Sequence, residues 1–223
     1  MVWGPGSYLS SALGYVNDLY DAYLLPVLVD RVCSQPGFAR KRKQVVPQAK
    51  GRVLEIGIGS GHNLPEYTWD QVTCVKGVDP SEKLVEKARR KAEQLGLPVE
   101  ISIGSAEQLE FPDESFDSVV VGFSLCTIPN VSLALKEAKR VLKSGGMLLF
   151  TEHGLAPEED QTVQAWQHRL TPYWKVFAGG CHLNRNIEQL ILDAGFTFSK
   201  LDKKYIKGPK IASYLYYGKA ARL

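Results

Sequence analysis

Apolar and polar positions run through this chain in two periods. Short apolar runs alternate with segments whose apolar residues recur every three or four positions. Arg52–Ile56, Val72–Val78, Val99–Ile103, Ser118–Gly122 and Met147–Thr151 read as buried strands. Between them, Ser81–Leu95 reads as an amphipathic helix, with Ser81 at its N-cap and Gly96 and Pro98 closing it. Val131–Leu142 is a second helix with Leu133, Ala134, Ala138, Val141 and Leu142 on its apolar face, ended by Ser144-Gly145-Gly146. Ile187–Ala194 is a third, stopped by Gly195. This alternation predicts an α/β fold built on a parallel sheet. Thr197–Ile206 and Ala212–Ala221 have no helix between them and read as an antiparallel strand pair added to that sheet. Two segments stand outside the pattern. One is an N-terminal arm, residues 1–50, carrying Tyr8, Tyr15, Tyr20 and Tyr23; the other is an insert, Glu152–Arg185.

Composition narrows the class. A chain of 223 residues, 44% of them hydrophobic, suits one domain, residues 1–223, with a core that needs no disulfide or metal. A net charge of +3 is too small to point to a nucleic-acid partner. The four cysteines, Cys33, Cys74, Cys126 and Cys181, lie far apart with no CxxC pair, a spacing that argues against a zinc cluster. Packing is the plainer reading of Cys126 and Cys181, and a soft-metal site the alternative. The most apolar stretch, Leu19–Val32, carries Asp21, Pro26, Asp30 and Arg31 and is too short and charged to span a membrane. With no signal-peptide pattern either, a cytoplasmic location is expected. The basic run Arg40-Lys41-Arg42-Lys43 reads as a solvated face or as a weak peripheral contact with anionic lipid heads.

The chemistry begins at Val53-Leu54-Glu55-Ile56-Gly57-Ile58-Gly59-Ser60-Gly61. Three glycines at every second position follow a buried strand, where the backbone must turn tightly and approach a ligand closely. A dinucleotide fingerprint needs glycine three residues beyond Gly59, and that position is His62. Glu55 stands two residues before the first glycine and suits the positive end of an amino acid. A second acid, Asp79, ends the next strand, eighteen residues after Gly61, where a ribose diol is commonly held. The acid-x-G-x-G-x-G pattern resembles motif I of the class I S-adenosylmethionine-dependent methyltransferases. That resemblance implies a Rossmann-like, mostly parallel sheet with S-adenosyl-L-methionine as cofactor. It implies cofactor-binding roles for Glu55, Gly57, Gly59, Gly61, Asp79 and Pro80. It extends them to Ser105, Ala106 and Glu107 in the loop after the third strand, and to Phe123 after the fourth.

The insert sharpens the likeness. Glu152-His153, Trp166-Gln167-His168-Arg169-Leu170-Thr171-Pro172-Tyr173-Trp174 and Gly180-Cys181-His182-Leu183-Asn184-Arg185, with Leu125-Cys126-Thr127, resemble the thiol S-methyltransferase branch of the methyltransferase-like proteins. The resemblance implies methyl transfer to a small apolar acceptor, first an alkyl thiol. A lipid or quinone acceptor is the alternative, and a non-catalytic S-adenosylmethionine-binding module a reading from another class. A thiol must lose its proton before attack. His153, at a strand end, is the expected general base, with His182 second. Trp166, Tyr173, Trp174 and Phe177 either line an apolar acceptor pocket or dock the insert on the domain. The tyrosine-rich arm reads as a lid over the site. No metal is expected, and the oligomeric state is not legible.

Overall fold

The computed structural model describes residues 24–223. Tyr8, Tyr15, Tyr20 and Tyr23, with Asp18 and Asp21, lie outside them. Seven strands form one sheet: β1 (Gly51–Ile56), β2 (Val72–Asp79), β3 (Val99–Ile103), β4 (Phe116–Gly122), β5 (Leu142–His153), β6 (Thr197–Tyr205) and β7 (Tyr214–Ala221). Their order is β3-β2-β1-β4-β5-β7-β6. The first five are parallel, and β7 pairs antiparallel with both β5 and β6, as the expected C-terminal addition.

Alternate residues of the central strands feed two cores, one on each face. Leu54, Ile56, Val119, Val121, Leu148 and Phe150 point to one side, and Val53, Val120 and Leu149 to the other. Fully burying such a side chain contributes about 1.5–3 kcal/mol. Covering both faces in this way is why these strands are continuously apolar rather than alternating.

The helices are α1 (Leu25–Cys33), α2 (Pro36–Val45), α3 (Glu82–Gln94), α4 (Val131–Val141), α5 (Gln161–Phe177), α6 (Ile187–Asp193) and the single turn α7 (Lys210–Ser213). Four local expectations change. Ser81 occupies the N-cap of α3 without a side-chain cap; its backbone N–H donates instead to Asp79 Oδ1 at 2.9 Å. Ser144-Gly145-Gly146 belongs to β5 rather than to a helix-ending turn, because Gly145 N donates to Arg222 O and Gly146 O accepts from Arg222 N. The basic run in α2 is a solvated face only at Arg40 and Lys43. Lys41 is 3% exposed, its ammonium 3.9 Å from the Tyr217 ring centroid, and Arg42 is 5% exposed. Within the insert, α5 docks through Val163, Gln167 and Thr171, while Trp166, Tyr173, Trp174 and Phe177 are exposed. Gln167, fully buried, accepts from Ala156 N at 2.8 Å and donates to the carbonyls of Gly154 and Ile211. Among the described residues, none of these four aromatics lines the cavity.

Candidate active site

The strand order reverses between β1 and β4, and in open α/β sheets ligands bind at that point, beyond the carboxyl ends of the strands. A cavity of about 460 Å³ opens there, within the usual size of a small-molecule site. Its floor is the glycine loop. Gly57 N and Ile58 N both donate to Val78 O, at 2.8 and 3.2 Å, which curls the chain back over β2. The three glycines then differ in purpose. A Cβ on Gly57 would stand 2.0 Å from Ser124 Oγ, and one on Gly61 2.8 Å from Leu64 Cδ1 and 3.4 Å from the Ala88 backbone in α3. A Cβ on Gly59 would meet nothing within 4 Å. Gly59 thus presents bare backbone to the cavity, whereas Gly61 is absent from its wall and serves close packing of loop on helix.

Two carboxylates flank the loop. Asp79 is 8% exposed; Oδ2 accepts from Gly59 N and Oδ1 from Ser81 N, both at 2.9 Å. Burial raises its pKa despite those two bonds. Glu55, 1% exposed, accepts from Asn63 Nδ2 at 2.9 Å and from Tyr67 O–H at 2.6 Å. Burial pushes its carboxyl up to about 7, against those two donors. Each oxygen of both acids takes one bond here and can accept another, so acceptor capacity remains on the cavity wall. Pro80, Ser105, Ala106, Glu107 and Phe123 line the same cavity. Ser105 Oγ accepts from Glu107 N at 3.1 Å, and Glu107 Oε1 accepts from Asn130 N, which fixes the loop edge. Phe123 holds a positive φ of 58°, wedged between Phe38 at 4.7 Å and the Arg42 guanidinium at 5.1 Å. An open glycine backbone flanked by two carboxylates with acceptor capacity to spare fits S-adenosylmethionine.

The expected proton acceptors sit elsewhere. His153 is buried behind the wall, with Nε2 3.1 Å from Cys181 Sγ. His182 holds Nδ1 3.2 Å from Cys126 O. Neither lines the cavity. The histidine that does is His62, next after the glycine loop, with Nε2 2.7 Å from Asp30 Oδ1. Ser60 Oγ and Lys87 Nζ also donate to Asp30. Desolvation, then the Arg42 charge, keeps His62 below its ordinary pKa despite Asp30, so the ring is neutral near pH 7. Asp30, Cys33 and Leu25 come from α1, and Arg42 from α2. The arm therefore contributes part of the wall, and Gly179, after α5, closes against Leu25. Sequence reading used His62 only to reject a dinucleotide site; its place just beyond the third glycine was the signal that could have found it. Nothing comparable marks Asp30 or Arg42, which reach the cavity only through tertiary packing.

Comparison with known proteins bears on most of the chain. The family described as a methyltransferase domain matches residues 54–150. A thiol S-methyltransferase of Rattus norvegicus is 32% identical, over 82% of this chain and 78% of that protein. A phosphatidylethanolamine N-methyltransferase of Cereibacter sphaeroides is 40% identical, but over 46% of this chain and 51% of its own, so the chain spans about half of that enzyme. Among solved structures, a methyltransferase from Bacillus halodurans superposes with a TM-score of 0.65 at 22% identity, covering 82% of this chain and 98% of its own. With that relationship and the cofactor-shaped cradle, the chain belongs to the class I S-adenosylmethionine-dependent methyltransferases.

Proposed function

We infer that the acceptor is a small apolar molecule, with an alkyl thiol first. The observation that carries this reading is the extent of the likeness to the thiol S-methyltransferase. A contiguous match over 82% of the chain must include residues 41–183, and so all of α5 and the loop onto the cavity. The match to the phosphatidylethanolamine enzyme has only the length of the common core. The substrate end of the cavity supports the same reading, because Leu25, Ile128, Ala178 and Gly179 offer contact surface and no charge.

Bound S-adenosylmethionine supplies a methyl group already activated on a sulfonium. The task left to the chain is to hold cofactor and acceptor in line and to exclude water. In this reading Asp79 accepts from the ribose hydroxyls and Glu55 from the amino group. Ser105, Ala106 and Glu107 border the adenine, and Phe123 fills the space beside Arg42. His62 takes the thiol proton. Asp30 fixes Nε2–H and leaves Nδ1 as the acceptor. The base role expected of His153 and His182 passes to His62, the one that faces the cavity.

Release of S-adenosylhomocysteine should be followed with alkyl thiols, phosphatidylethanolamine and a quinol in parallel. Turnover is expected with thiols, and turnover confined to either of the others overturns the proposal. His62→Ala should cut the thiol rate about 10²–10⁴-fold at pH 7 and recover above about pH 9, where most free thiol is ionised. His182→Ala, assayed beside it, should show no such pH dependence. A uniform loss in His62→Ala across pH would assign that residue to pocket shape instead.

A further inference from the structure

Behind the cavity wall lies a cluster that methyl transfer does not use. Cys126 follows β4, His153 is the last residue of β5, and Cys181 lies in the loop after α5. Their donor atoms, two thiol sulfurs and one imidazole nitrogen, all lie within 4.8 Å of one another. His153 Nε2 is 3.1 Å from Cys181 Sγ. Cys126 and His153 are buried and Cys181 is half-buried.

Strand pairing and backbone hydrogen bonds of neighbouring residues help hold these donors in place. β4 and β5 run side by side in register, Gly122 against Thr151, which sets Cys126 and His153 at adjacent strand ends. The third donor is tied down by its neighbours: His182 N donates to Cys126 O at 2.8 Å, and the Arg185 guanidinium donates to Leu125 O. Among the described residues, His153 Nδ1 and Glu152 Oε2, next to the cluster, are buried without a hydrogen-bond partner. Buried polar atoms are almost always satisfied, and an unpaired one asks for an ion, a water or a functional account.

We propose that Cys126, His153 and Cys181 form a binding site for one soft, thiophilic metal ion. Metal–sulfur bonds of about 2.3 Å and metal–nitrogen bonds of about 2.0–2.1 Å place ligand atoms roughly 3.5–4 Å apart. The donor atoms, all within 4.8 Å of one another, lie within about 1 Å of that spacing. Two sulfurs and an imidazole select a soft or borderline ion over magnesium or calcium. On binding, the two thiols coordinate as thiolates and their protons pass to solvent. Three protein donors leave a coordination position open. Thr127, Ala178 and Gly179 line the cavity within three residues of a ligand. The ion would therefore clamp β4, β5 and the end of the insert against each other at the acceptor end.

The test uses the full chain, reduced and stripped with a chelator, then titrated with Co²⁺ and afterwards Zn²⁺ under inert gas. One equivalent of Co²⁺ should produce a thiolate-to-metal charge-transfer band that Zn²⁺ abolishes. Zn²⁺ should slow alkylation of Cys126 and Cys181, read by mass spectrometry, at least tenfold, and leave Cys74 in β2 unchanged. That measurement needs no variant, and equal alkylation rates with and without Zn²⁺ overturn the proposal. Cys126→Ser, Cys181→Ser and His153→Ala should each weaken Zn²⁺ beyond the roughly 10–100-fold that loss of a supporting residue costs. Full Zn²⁺ affinity in folded His153→Ala, or a Cys126–Cys181 disulfide forming unimpeded in Zn²⁺-loaded protein, also overturns it.

Discussion

Gly59 and Gly57 sit two residues apart, both with positive φ, yet alanine should do opposite things at the two positions. At Gly59 the φ of 55° costs an L-residue about 1–2 kcal/mol, and the new methyl meets nothing within 4 Å. Gly59→Ala should fold, losing roughly 2–4 °C in Tm per kcal/mol for a domain of this size. Its methyl points where the cofactor must lie, so S-adenosylhomocysteine should bind at least tenfold more weakly, about 1.4 kcal/mol. At Gly57 the φ is 68°, and the methyl would stand 2.0 Å from Ser124 Oγ and 2.6 Å from Ser124 Cβ. Ser124 has little freedom to retreat, since its N–H donates to Glu152 and its hydroxyl lies against the carbonyls of Gly57 and Gly122. Overpacking of about 1–3 kcal/mol then adds to the backbone strain. Gly57→Ala should therefore show the larger loss of stability. Thermal melts give the stability order and calorimetry the affinity. Wild-type affinity in a folded Gly59→Ala protein would refute the cradle, and equal melting losses in the two variants would refute the assigned geometry.

Three further outcomes follow. Asp79→Asn should weaken S-adenosylmethionine at least tenfold from an expected micromolar affinity, about −8 kcal/mol, with NAD giving no measurable heat, and unchanged calorimetry would remove Asp79 from the ribose. Glu55, raised to about 7 in the fold from its ordinary 4.5, stabilises the protein below pH 4.5, and that contribution is lost as pH rises through 7. Wild type should therefore lose about 3 kcal/mol relative to Glu55→Gln between pH 4.5 and 8, whereas parallel denaturation curves across that range would show an unperturbed group. Deletion of residues 1–34 removes Asp30 and Cys33 from the cavity wall but spares α2. The shortened chain should stay folded and lose turnover, and full turnover would refute a part for the arm in the site.

The sheet was legible because its signals are local. Five apolar runs, helices with matching period and the glycine loop need only neighbouring residues to be recognised, and each lies close to where it was read, although Leu133 is exposed, Leu142 begins β5 and a helical turn, Lys210–Ser213, precedes β7. Asp79 and Glu55 could be placed for the same reason, being pinned to strand ends by short spacings. What decided the rest was packing between segments remote in sequence. Lys41 and Arg42 look like a solvated run until α2 lies across β5 and β7 and covers them. The aromatic residues of the insert look like a pocket lining or a docking face, yet the folded chain leaves them exposed while Gln167 ties α5 to the carbonyls of Gly154 and Ile211. His153 ends a strand beside the cavity, but its ring turns to Cys181, twenty-eight residues on, while His62 turns to Asp30, thirty-two residues back. Cys126, His153 and Cys181 show no motif in one dimension because the parallel pairing of β4 with β5 and the return of α5 bring them together. Periodicity and spacing set the scaffold; side-chain partners across long loops, which only the folded chain supplies, decide which groups meet.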